Sequence, residues 1–339
     1  MGFMRKLALI TLVAGLFIST LSAGRYAGDF MMIGSGVRSL GMGGAFAAIA
    51  NDGSAIYWNA SGIAQIRESE VSAMHAFLYN GLASYENVSY CQPLPNGVTI
   101  GLNVTSLLVN DIPEFSESYL IGTNVDQRIN NSAHHLPGVP DGEFNSTDIL
   151  YQFAFAKHLH YDLNMGWLFF SVPLDLYMGG NVKFINRNLM SNQGTGTGLD
   201  FGFLVKTDLG ILFDWDDLGT MNFGMNFQDL AGTEISWDTY SEHRDEVLFN
   251  SKLGVAFNQP IPQLNSTLTA AYDYDYVYDG SSHYGLQFSY KDLGSIRAGF
   301  YDKNLTCGAS VNIYGVGVDY ALLTNPVGIT NRIGLKVNF

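Results

Sequence analysis

The chain has 339 residues and a formal net charge of −14, because 17 Lys and Arg residues stand against 31 Asp and Glu residues. Hydrophobic residues make up 47% of the sequence and aromatic residues 13%, which excludes an intrinsically disordered chain, since disorder requires few aromatic residues and little apolar core. The acidic balance excludes a nucleic-acid-binding protein, which needs clustered Lys and Arg to neutralise phosphates.

Residues 1–23 have the pattern of a secretory signal peptide. Arg5 and Lys6 precede an apolar run from Leu7 to Phe17, and Leu21-Ser22-Ala23 is a small-residue cleavage site. Cleavage there would leave 316 residues with a formal charge of −16. No second apolar run of about 20 residues follows, so the sequence favours an exported protein or a β-barrel over a helical membrane protein.

The next segment, residues 24–66, is rich in glycine and shows no alternation of polar and apolar residues. Glycine at this density permits the tight turns and close backbone contacts that a compact plug needs. A phosphate-binding loop is excluded here, because no strand precedes the glycines and no Gly-Lys-Ser/Thr follows them. The candidate functional residues of this segment, which we call the hatch, are Gly34, Gly36, Arg38, Gly41, Met42, Gly43, Gly44, Tyr57, Trp58, Asn59 and Gly62.

Residues 67–339 alternate repeatedly between a polar or glycine face and an apolar face. In the last segment, Ile333, Leu335 and Val337 share one face, and Arg332, Gly334 and Lys336 share the other. This period of two predicts β-strands with one face toward water and one toward lipid. The predicted strands are 69–79, 84–94, 97–109, 147–158, 174–187, 196–209, 219–229, 248–258, 263–276, 282–291, 294–302, 304–313, 315–322 and 329–339.

Fourteen strands form an even number, which returns both ends of a barrel to the same side of the membrane. Lipid offers no hydrogen-bond partner to an open sheet edge, so a spanning sheet must close. The sequence therefore predicts an all-β protein, a 14-stranded antiparallel transmembrane barrel in the bacterial outer membrane, with outer-membrane lipid around it. Tyr272, Tyr274, Tyr276 and Tyr284 suit the aromatic belts at the membrane interfaces.

The predicted connections test this arrangement, because turns on the inner side should be short and loops on the outer side long. Pro95-Asn96-Gly97 and Tyr314-Gly315 fit the inner side, as does Asp292-Leu293-Gly294. The acidic stretch from Asn110 to Ser146 and the segment from Ala231 to Val247 fit outer loops. Two connections fit less well: the outer loop near Gly81 is short, and the inner connection from Leu159 to Pro173 is long.

Charged residues of the strands fall mostly on the polar face, where they would line the lumen. They form a set of mixed sign that can pair across the interior and hold the hatch, although ordinary packing of the wall explains the same pattern. This set comprises Lys183, Arg187, Asp200, Lys206, Lys252, Asp273, Arg297, Asp319, Arg332 and Lys336.

No motif indicates an enzyme, a cofactor or a metal site. His134-His135 and the pair His158 and His160 lack a third ligand nearby in the sequence. The acidic cluster around Trp215 lacks the glycine and spaced Glu of a calcium loop. A Ser-His-acid arrangement or nucleophile elbow is not evident. Cys91 and Cys307 lie in separate strand-like segments, which favours two unpaired apolar residues over a disulfide.

The hatch motifs resemble the PorV/PorQ group of FadL-like outer-membrane proteins. The resemblance rests on Ile33-Gly34-x-Gly36-x-Arg38, on Leu40-Gly41-Met42-Gly43-Gly44-Ala45-Phe46 and on Ser54-Ala55-Ile56-Tyr57-Trp58-Asn59 with Gly62. It continues more loosely at 229–237, 318–321 and 328–333. One departure is Ala60-Ser61, where the family usually has Pro-Ala.

The resemblance implies a 14-stranded barrel whose lumen is plugged by the hatch. FadL relatives pass hydrophobic molecules across the outer membrane and release them sideways through the wall. PorV relatives serve type IX secretion as accessory or shuttle proteins that handle exported cargo. We therefore expect a non-enzymatic barrel that passes a hydrophobic ligand, with partnership in type IX secretion as the alternative. A structural or adhesive surface barrel is a third possibility, based on the acidic outer loop.

Overall fold

The computed structural model describes residues 28–115, 140–164, 166, 171–215, 217–230, 232–276, 280–291, 293–325 and 328–339. The predicted signal peptide and the His134-His135 pair lie outside these residues. Helices α1 (Asp29–Met32), α2 (Val37–Gly41) and α3 (Ala55–Trp58) and a 3₁₀ helix (Ala60–Gln65) form the hatch, and α4 (Leu209–Phe213) lies between two strands. Among the described residues, no helix has the length and apolar character needed to cross a bilayer.

The rest of the described chain consists mostly of strands, and residues 116–139 between the third and fourth strands lie outside it. In chain order the strands are β1 (Glu70–Leu78), β2 (Ala83–Leu94), β3 (Val98–Glu114), β4 (Gly142–Asn164), β5 (Ser171–Leu189), β6 (Asn192–Asp208), β7 (Thr220–Gln228), β8 (Thr233–Trp237), β9 (Arg244–Val247), β10 (Asn250–Ile261), β11 (Ser266–Asp275), β12 (Ser281–Tyr290), β13 (Gly294–Tyr301), β14 (Asn304–Ile313), β15 (Val316–Asn325) and β16 (Gly328–Asn338).

Strands β1–β7 and β10–β16 form a closed antiparallel ring. Each strand pairs with its neighbour in this order, and β1 closes the ring against β16, with Val71 opposite Val337. The described residues therefore form a 14-stranded barrel, as the alternation predicts. Closure leaves no open edge within this ring, which satisfies the requirement that lipid places on backbone hydrogen bonds.

The two remaining strands, β8 and β9, form a hairpin at the outer end of β7 and β10. Thr233 of β8 pairs with Val247 of β9, and Ile235 pairs with Gly196 of β6. The outer connection predicted from Ala231 to Val247 therefore contains a short hairpin. Ile235 is fully buried, so the short hairpin gains enough apolar contact to stay regular.

The inner connection predicted from Leu159 to Pro173 is also shorter than expected. Strand β4 continues to Asn164 and β5 begins at Ser171, with Asn164 opposite Ser171 in register. Both strands extend past their predicted ends because hydrogen bonds between them continue. The predicted connection was too long because the predicted strands were too short.

The outer face of the barrel is apolar and the inner face is polar. Phe153, Phe184 and Leu335 each expose about half of their surface on the outside, at 53%, 45% and 49%. Asn103 and Gln152 are buried on the inside, where the amide of Asn103 donates to Gln152 Oε1 at 2.8 Å. An apolar exterior around a polar interior is the arrangement of a membrane barrel.

The two cysteines illustrate this division. Cys91 is buried on the inward face of β2, whereas Cys307 is exposed on the outward face of β14, and both are free. Neither cysteine forms a disulfide, and each acts as a small apolar residue on the face where it lies, as the sequence favours.

The hatch occupies the lumen of the barrel. Its residues Leu40, Met42, Phe46, Ile56 and Trp58 are almost completely buried and form one apolar cluster. Residues 28–66 therefore lie inside the ring, although the exact boundaries of the hatch remain a prediction.

Candidate functional site

The first hatch motif follows a tight path that needs glycine at defined points. Gly36 and Gly43 both have positive φ angles, of 82° and 66°, which side-chain-bearing residues rarely adopt. A Cβ atom on Gly36 would lie 2.5 Å from Ser54 Cβ, and one on Gly43 would lie 2.5 Å from the nitrogen of Phe300. The motif glycines thus let the hatch fold on itself and touch the barrel backbone.

Asp273 of β11 holds the hatch at the point where the first motif ends. One carboxylate oxygen accepts hydrogen bonds from the backbone N–H groups of Phe46 and Ala47, at 2.7 and 2.6 Å. Asp273 is almost fully buried, at 1% exposure. Hydrogen bonds to an ionised carboxylate are stronger than neutral ones, so this residue is an attachment point between hatch and wall.

Arg332 of β16 holds the start of the hatch from another side. Its guanidinium donates to the backbone carbonyls of Ile33 and Gly34, at 3.0 and 3.2 Å. Arg332 is 2% exposed. The predicted role of the lumen charges in holding the hatch thus has direct contacts at Asp273 and Arg332. Lys336 makes no hydrogen bond to the hatch within the described part of the chain.

Several polar wall residues that sequence reasoning did not single out also bind hatch backbone groups. Glu70 Oε1 accepts from Gly53 N–H at 2.6 Å, and Asn181 donates to the carbonyl of Ile56 at 2.9 Å. Three further wall residues donate to hatch carbonyl groups: Asn222 to that of Ala48, Gln228 to that of Tyr57, and His283 to that of Gly43. In the sequence, the alternation indicates that these side chains face inward. It does not indicate which hatch group each of them binds.

The remaining residues of the hatch motifs bind mostly within the hatch. Trp58 Nε1 donates to the carbonyl of Ser35 at 2.6 Å. The amide of Asn59 donates to the carbonyls of Ala47 in the hatch and Phe203 in the wall, at 2.8 and 2.9 Å. Arg38 donates to Gln287 of the wall at 3.1 Å and pairs with Asp52 at 3.4 Å. These motif residues therefore have a structural role: they hold the hatch together and attach it to the wall.

The glycines on the inward face of the strands meet the hatch. A Cβ atom on Gly224 would lie 2.1 Å from the carbonyl oxygen of Ala47, and one on Gly285 would lie 2.5 Å from that of Met42. The motif residues Gly34, Gly41, Gly44 and Gly62 are similarly close to their neighbours. The sequence alternation suggested a glycine face that lines water, but these glycines instead receive backbone or side-chain atoms of the hatch. The strand glycines in such contact are Gly101, Gly179, Gly202, Gly224, Gly254, Gly285, Gly299, Gly308 and Gly334.

The other predicted lumen charges form ion pairs within the wall. Lys183 Nζ contacts Asp200 at 2.8 Å and Asp229 at 2.6 Å. The remaining pairs are Arg187 with Asp148, Lys252 with Asp275, and Arg297 with Asp319. Lys252 also lies 5.3 Å from the ring centre of Trp58. Lys206 lies near the inner end of β6, opposite Asp175 in register, apart from the others.

The wall is interrupted where β7 passes into β8. Pairing of β7 with β10 ends at Gln228 opposite Asn250, and pairing of β8 with β9 begins at Thr233 opposite Val247. Between β7 and β8, four residues, 229–232, separate the paired positions. Between β9 and β10, only two residues, 248–249, separate them. We call this interruption the wall kink. Asp229 has a φ of 58° there and contacts Lys183.

A small, partly open cavity of about 50 Å³ lies in the lumen beside the wall kink. Met31, Leu150 and Val247 supply apolar walls, and Asp229 and Asn250 supply polar ones. Tyr57 of the hatch also lines it. Burial raises the pKa of the Tyr57 hydroxyl well above its ordinary value, so this phenol stays uncharged at neutral pH. We call this space the kink cavity.

A groove on the outside of the barrel lies against the other side of the wall kink. It is lined by Tyr151, Phe184, Gly196, Gly232 and Glu234. Asp229 at one end of the kink lines the kink cavity, and Gly232 at the other end lines the outer groove. The two spaces are therefore lined by opposite ends of the kink.

A third space, the inner cavity, lies between the hatch and the strands that flank β16. It measures about 310 Å³ and is lined by polar residues that include Arg38, Asp52, Glu70, Asp319 and Lys336. The hatch thus separates a small amphipathic cavity on one side from a larger polar cavity on the other.

The histidines at the inner end of β4 pair with a carboxylate of the next strand. His158 Nε2 and His160 Nδ1 both contact Asp175 Oδ1, at 2.8 and 2.9 Å. Among the described residues, no group of three or more His, Cys, Asp or Glu side chains is arranged to hold a metal ion.

Comparisons with known proteins find similarity at the level of structure. No protein-family model matches the chain, and no curated protein matches it in sequence. The toluene transporter TodX of Pseudomonas putida superposes with a TM-score of 0.52 at 10% identity, covering 89% of this chain and 96% of that one. The CymD monoaromatic hydrocarbon channel superposes with a TM-score of 0.52 at 10% identity, covering 91% and 98%.

The fold is FadL-like. A variant of TodX gives the same TM-score of 0.52 at 11% identity and covers 90% of this chain and 99% of that one, so the likeness extends over the barrel and the hatch. The chain is accordingly a bacterial outer-membrane β-barrel with short N-terminal helices in its lumen. At these identities the likeness establishes the fold, and membership of the PorV/PorQ group remains a prediction from the motifs.

Proposed function

We propose that this FadL-like barrel passes small hydrophobic molecules across the outer membrane and releases them sideways through the wall kink. The observation that carries the proposal is the position of the kink between the kink cavity and the outer groove. A molecule in the kink cavity lies beside Asp229, and one in the outer groove lies beside Gly232. The route between them crosses residues 229–232, where the pairing with the β9–β10 side is interrupted.

The filled lumen supports a sideways route. Hydrogen bonds tie the hatch to β1, β5, β7, β11, β12 and β16. In them Glu70 and Asp273 accept from hatch N–H groups, and Asn181, Gln228, His283 and Arg332 donate to hatch carbonyls. Passage along the barrel axis would require several of these buried bonds to break, each at a cost of roughly 1–3 kcal/mol. A hydrophobic molecule that leaves through the wall avoids both this cost and the polar inner cavity.

The similar structures are consistent with this function. TodX and CymD are described as monoaromatic hydrocarbon channels, and their fold matches this chain over about nine tenths of its length. The apolar walls of the kink cavity, formed by Met31, Leu150 and Val247, suit a compound of that kind.

Uptake of a hydrophobic compound tests the proposal. Cells that lack the protein are complemented with the wild-type chain or with a variant shortened by two residues within 229–232, which equalises the two sides of the kink. We expect the wild type to restore uptake of radiolabelled toluene and the shortened variant to fail, since its ladder can pair without interruption. Folding of the variant is checked by its resistance to unfolding in detergent. Equal uptake by both would refute the sideways route, and no uptake by either, of toluene or of benzyl alcohol, would refute transport.

A role in type IX secretion is the alternative that the hatch motifs favour. Tyr57 and Asn59 are buried inside the lumen and Arg38 is half-buried beside the inner cavity, so these motif residues belong to the plug. Native purification from outer membranes followed by mass spectrometry separates the two functions. A bound lipophile without a stoichiometric protein supports transport, whereas secretion components or exported cargo on an empty barrel support the alternative.

A further inference from the structure

The polar groups of the kink cavity bear on the chemistry of its ligand. An apolar channel needs no hydrogen-bonding group at its binding site, yet this cavity is lined by amides, carboxylates and ammonium groups as well as by apolar side chains. The hydrogen bonds that these polar groups make with one another determine which groups remain available to a ligand.

A chain of three hydrogen-bonded groups orients Asn250. The carbonyl oxygen of Tyr57 can only accept, so Gln228 must present its Nε2 to it, at 3.1 Å. Gln228 Oε1 therefore points toward Asn250, which must donate from Nδ2, also at 3.1 Å. This order leaves Asn250 Oδ1 as the remaining atom of the amide, and that oxygen is buried without a hydrogen-bond partner. Asn250 is 6% exposed and lines the cavity.

Both ammonium groups of the cavity are already paired with carboxylates. Lys183 contacts Asp200 at 2.8 Å and Asp229 at 2.6 Å, and Lys252 is paired with Asp275. With Glu246, the lining contains four carboxylates and two ammonium groups, a formal excess of two negative charges. An added carboxylate would increase this excess in a site of low dielectric, where like charges repel strongly. The cavity therefore offers an acceptor and disfavours anions.

We propose that the kink cavity binds a small amphipathic molecule that has a hydroxyl or amino donor, which hydrogen-bonds to Asn250 Oδ1, and an apolar body that packs on Met31, Leu150 and Val247. This inference rests on the proposed transport function and narrows its substrate class. Pure hydrocarbons leave Asn250 unpaired, and carboxylates add negative charge. A neutral alcohol or phenol and a protonated amine share the required donor.

Four single-ring probes of similar size test the inference on the full chain in lipid nanodiscs: toluene, benzyl alcohol, benzylamine and benzoate. We expect benzyl alcohol and benzylamine to bind at least about tenfold more tightly than toluene, since one hydrogen bond to a buried acceptor is worth about this factor. Benzoate should bind most weakly. Calorimetry with empty nanodiscs as the blank corrects for partition into lipid. Tighter binding of benzyl alcohol than of benzylamine identifies a neutral donor, and the reverse identifies a cationic one.

Two variants assign the effect to Asn250. Asn250→Leu removes the acceptor and should reduce the affinity for benzyl alcohol about tenfold while leaving that for toluene unchanged. Asn312→Leu is the matched control, because Asn312 Oδ1 is also buried without a partner but lies in the inner cavity. If Asn250→Leu fails to fold, the ranking of the four probes on the wild type still decides the question.

Equal or tighter binding of toluene to the wild type would overturn the inference and leave transport intact, with water on Asn250 as the explanation. Absence of protein-dependent uptake for all four probes in reconstituted liposomes would instead overturn the proposed transport function. The two failures are thus distinguishable.

Discussion

Gly299 of β13 lies directly against Gly43 of the hatch, so closely that a Cβ atom on Gly299 would stand 2.5 Å from the Gly43 nitrogen. Neither residue has a side chain to separate the two backbones. The same contact recurs at other strands, where Gly224 meets the backbone of Ala47 and Gly285 meets that of Met42. The hatch is therefore fitted to the wall by backbone surfaces, with little space for adjustment.

The first prediction follows from this contact. Gly299→Ala adds a single methyl group where there is no room, and overpacking of this kind costs about 1–3 kcal/mol. We expect a lower thermal unfolding midpoint and faster leakage of a small hydrophilic solute from proteoliposomes. Gly317→Ala is the control, because its Cβ would meet no atom closer than 3.7 Å. Equal behaviour of the two variants would contradict the close fit.

Arg332 gives the second prediction. Arg332→Ala leaves the carbonyls of Ile33 and Gly34 without this donor, and each buried unpaired carbonyl costs about 1–3 kcal/mol. Solute leakage from proteoliposomes should rise in this variant and in the double variant with Lys336→Ala. Lys336→Ala alone should leak like the wild type, since Lys336 has no hydrogen bond to the hatch among the described residues. Unchanged leakage in the double variant would remove the anchoring role.

Asp273 gives the third prediction. Asp273→Asn loses the negative charge that accepts from Phe46 and Ala47, and it turns either an oxygen or an NH₂ group toward those two N–H donors. Charge-assisted hydrogen bonds contribute about 1.5–3 kcal/mol, so the variant should unfold at a lower urea concentration. Glu68→Gln, at an exposed position on the chain between hatch and barrel, should leave the urea midpoint unchanged. A midpoint for Asp273→Asn within error of the wild type would argue against this anchor.

The ion pairs of the wall give the fourth prediction. Lys183→Met leaves Asp200 and Asp229 buried without their cation, a loss that typically costs about 3–5 kcal/mol. Arg244→Met breaks the ion pair of Arg244 with Glu234, in which the Arg244 side chain is 60% exposed and the Glu234 side chain 52%. Such surface pairs contribute only about 0–1 kcal/mol. Unfolding free energies of the two variants are compared directly. Similar values would mean that water reaches the Lys183 cluster.

Much of the barrel follows from the sequence, because each strand carries its own evidence. A strand between lipid and lumen must alternate, so the run from Arg332 to Asn338 reveals its two faces without knowledge of its neighbours. Strand ends are less certain, and β4 and β5 run past the predicted ends because a partner strand continues to supply hydrogen bonds.

The site depends on contacts between distant parts of the chain, which alternation does not encode. An inward glycine such as Gly224 can face water or packed backbone, and the pattern is the same in both cases. The wall kink at Asp229 was visible only as part of a loose motif, and Asn250 carried no signal at all. Its significance comes from the orientation that Gln228 and Tyr57 impose on it.

The closure of β1 against β16 has a consequence for biogenesis. Glu70 begins β1 only a few residues after the hatch ends and binds Gly53 within it, and β1 forms one side of the seam that completes the ring. A hatch that touches the glycines of nine strands cannot be threaded into a finished barrel. Synthesis places it ahead of every strand, so the strands assemble around it and the seam is sealed with the plug already inside.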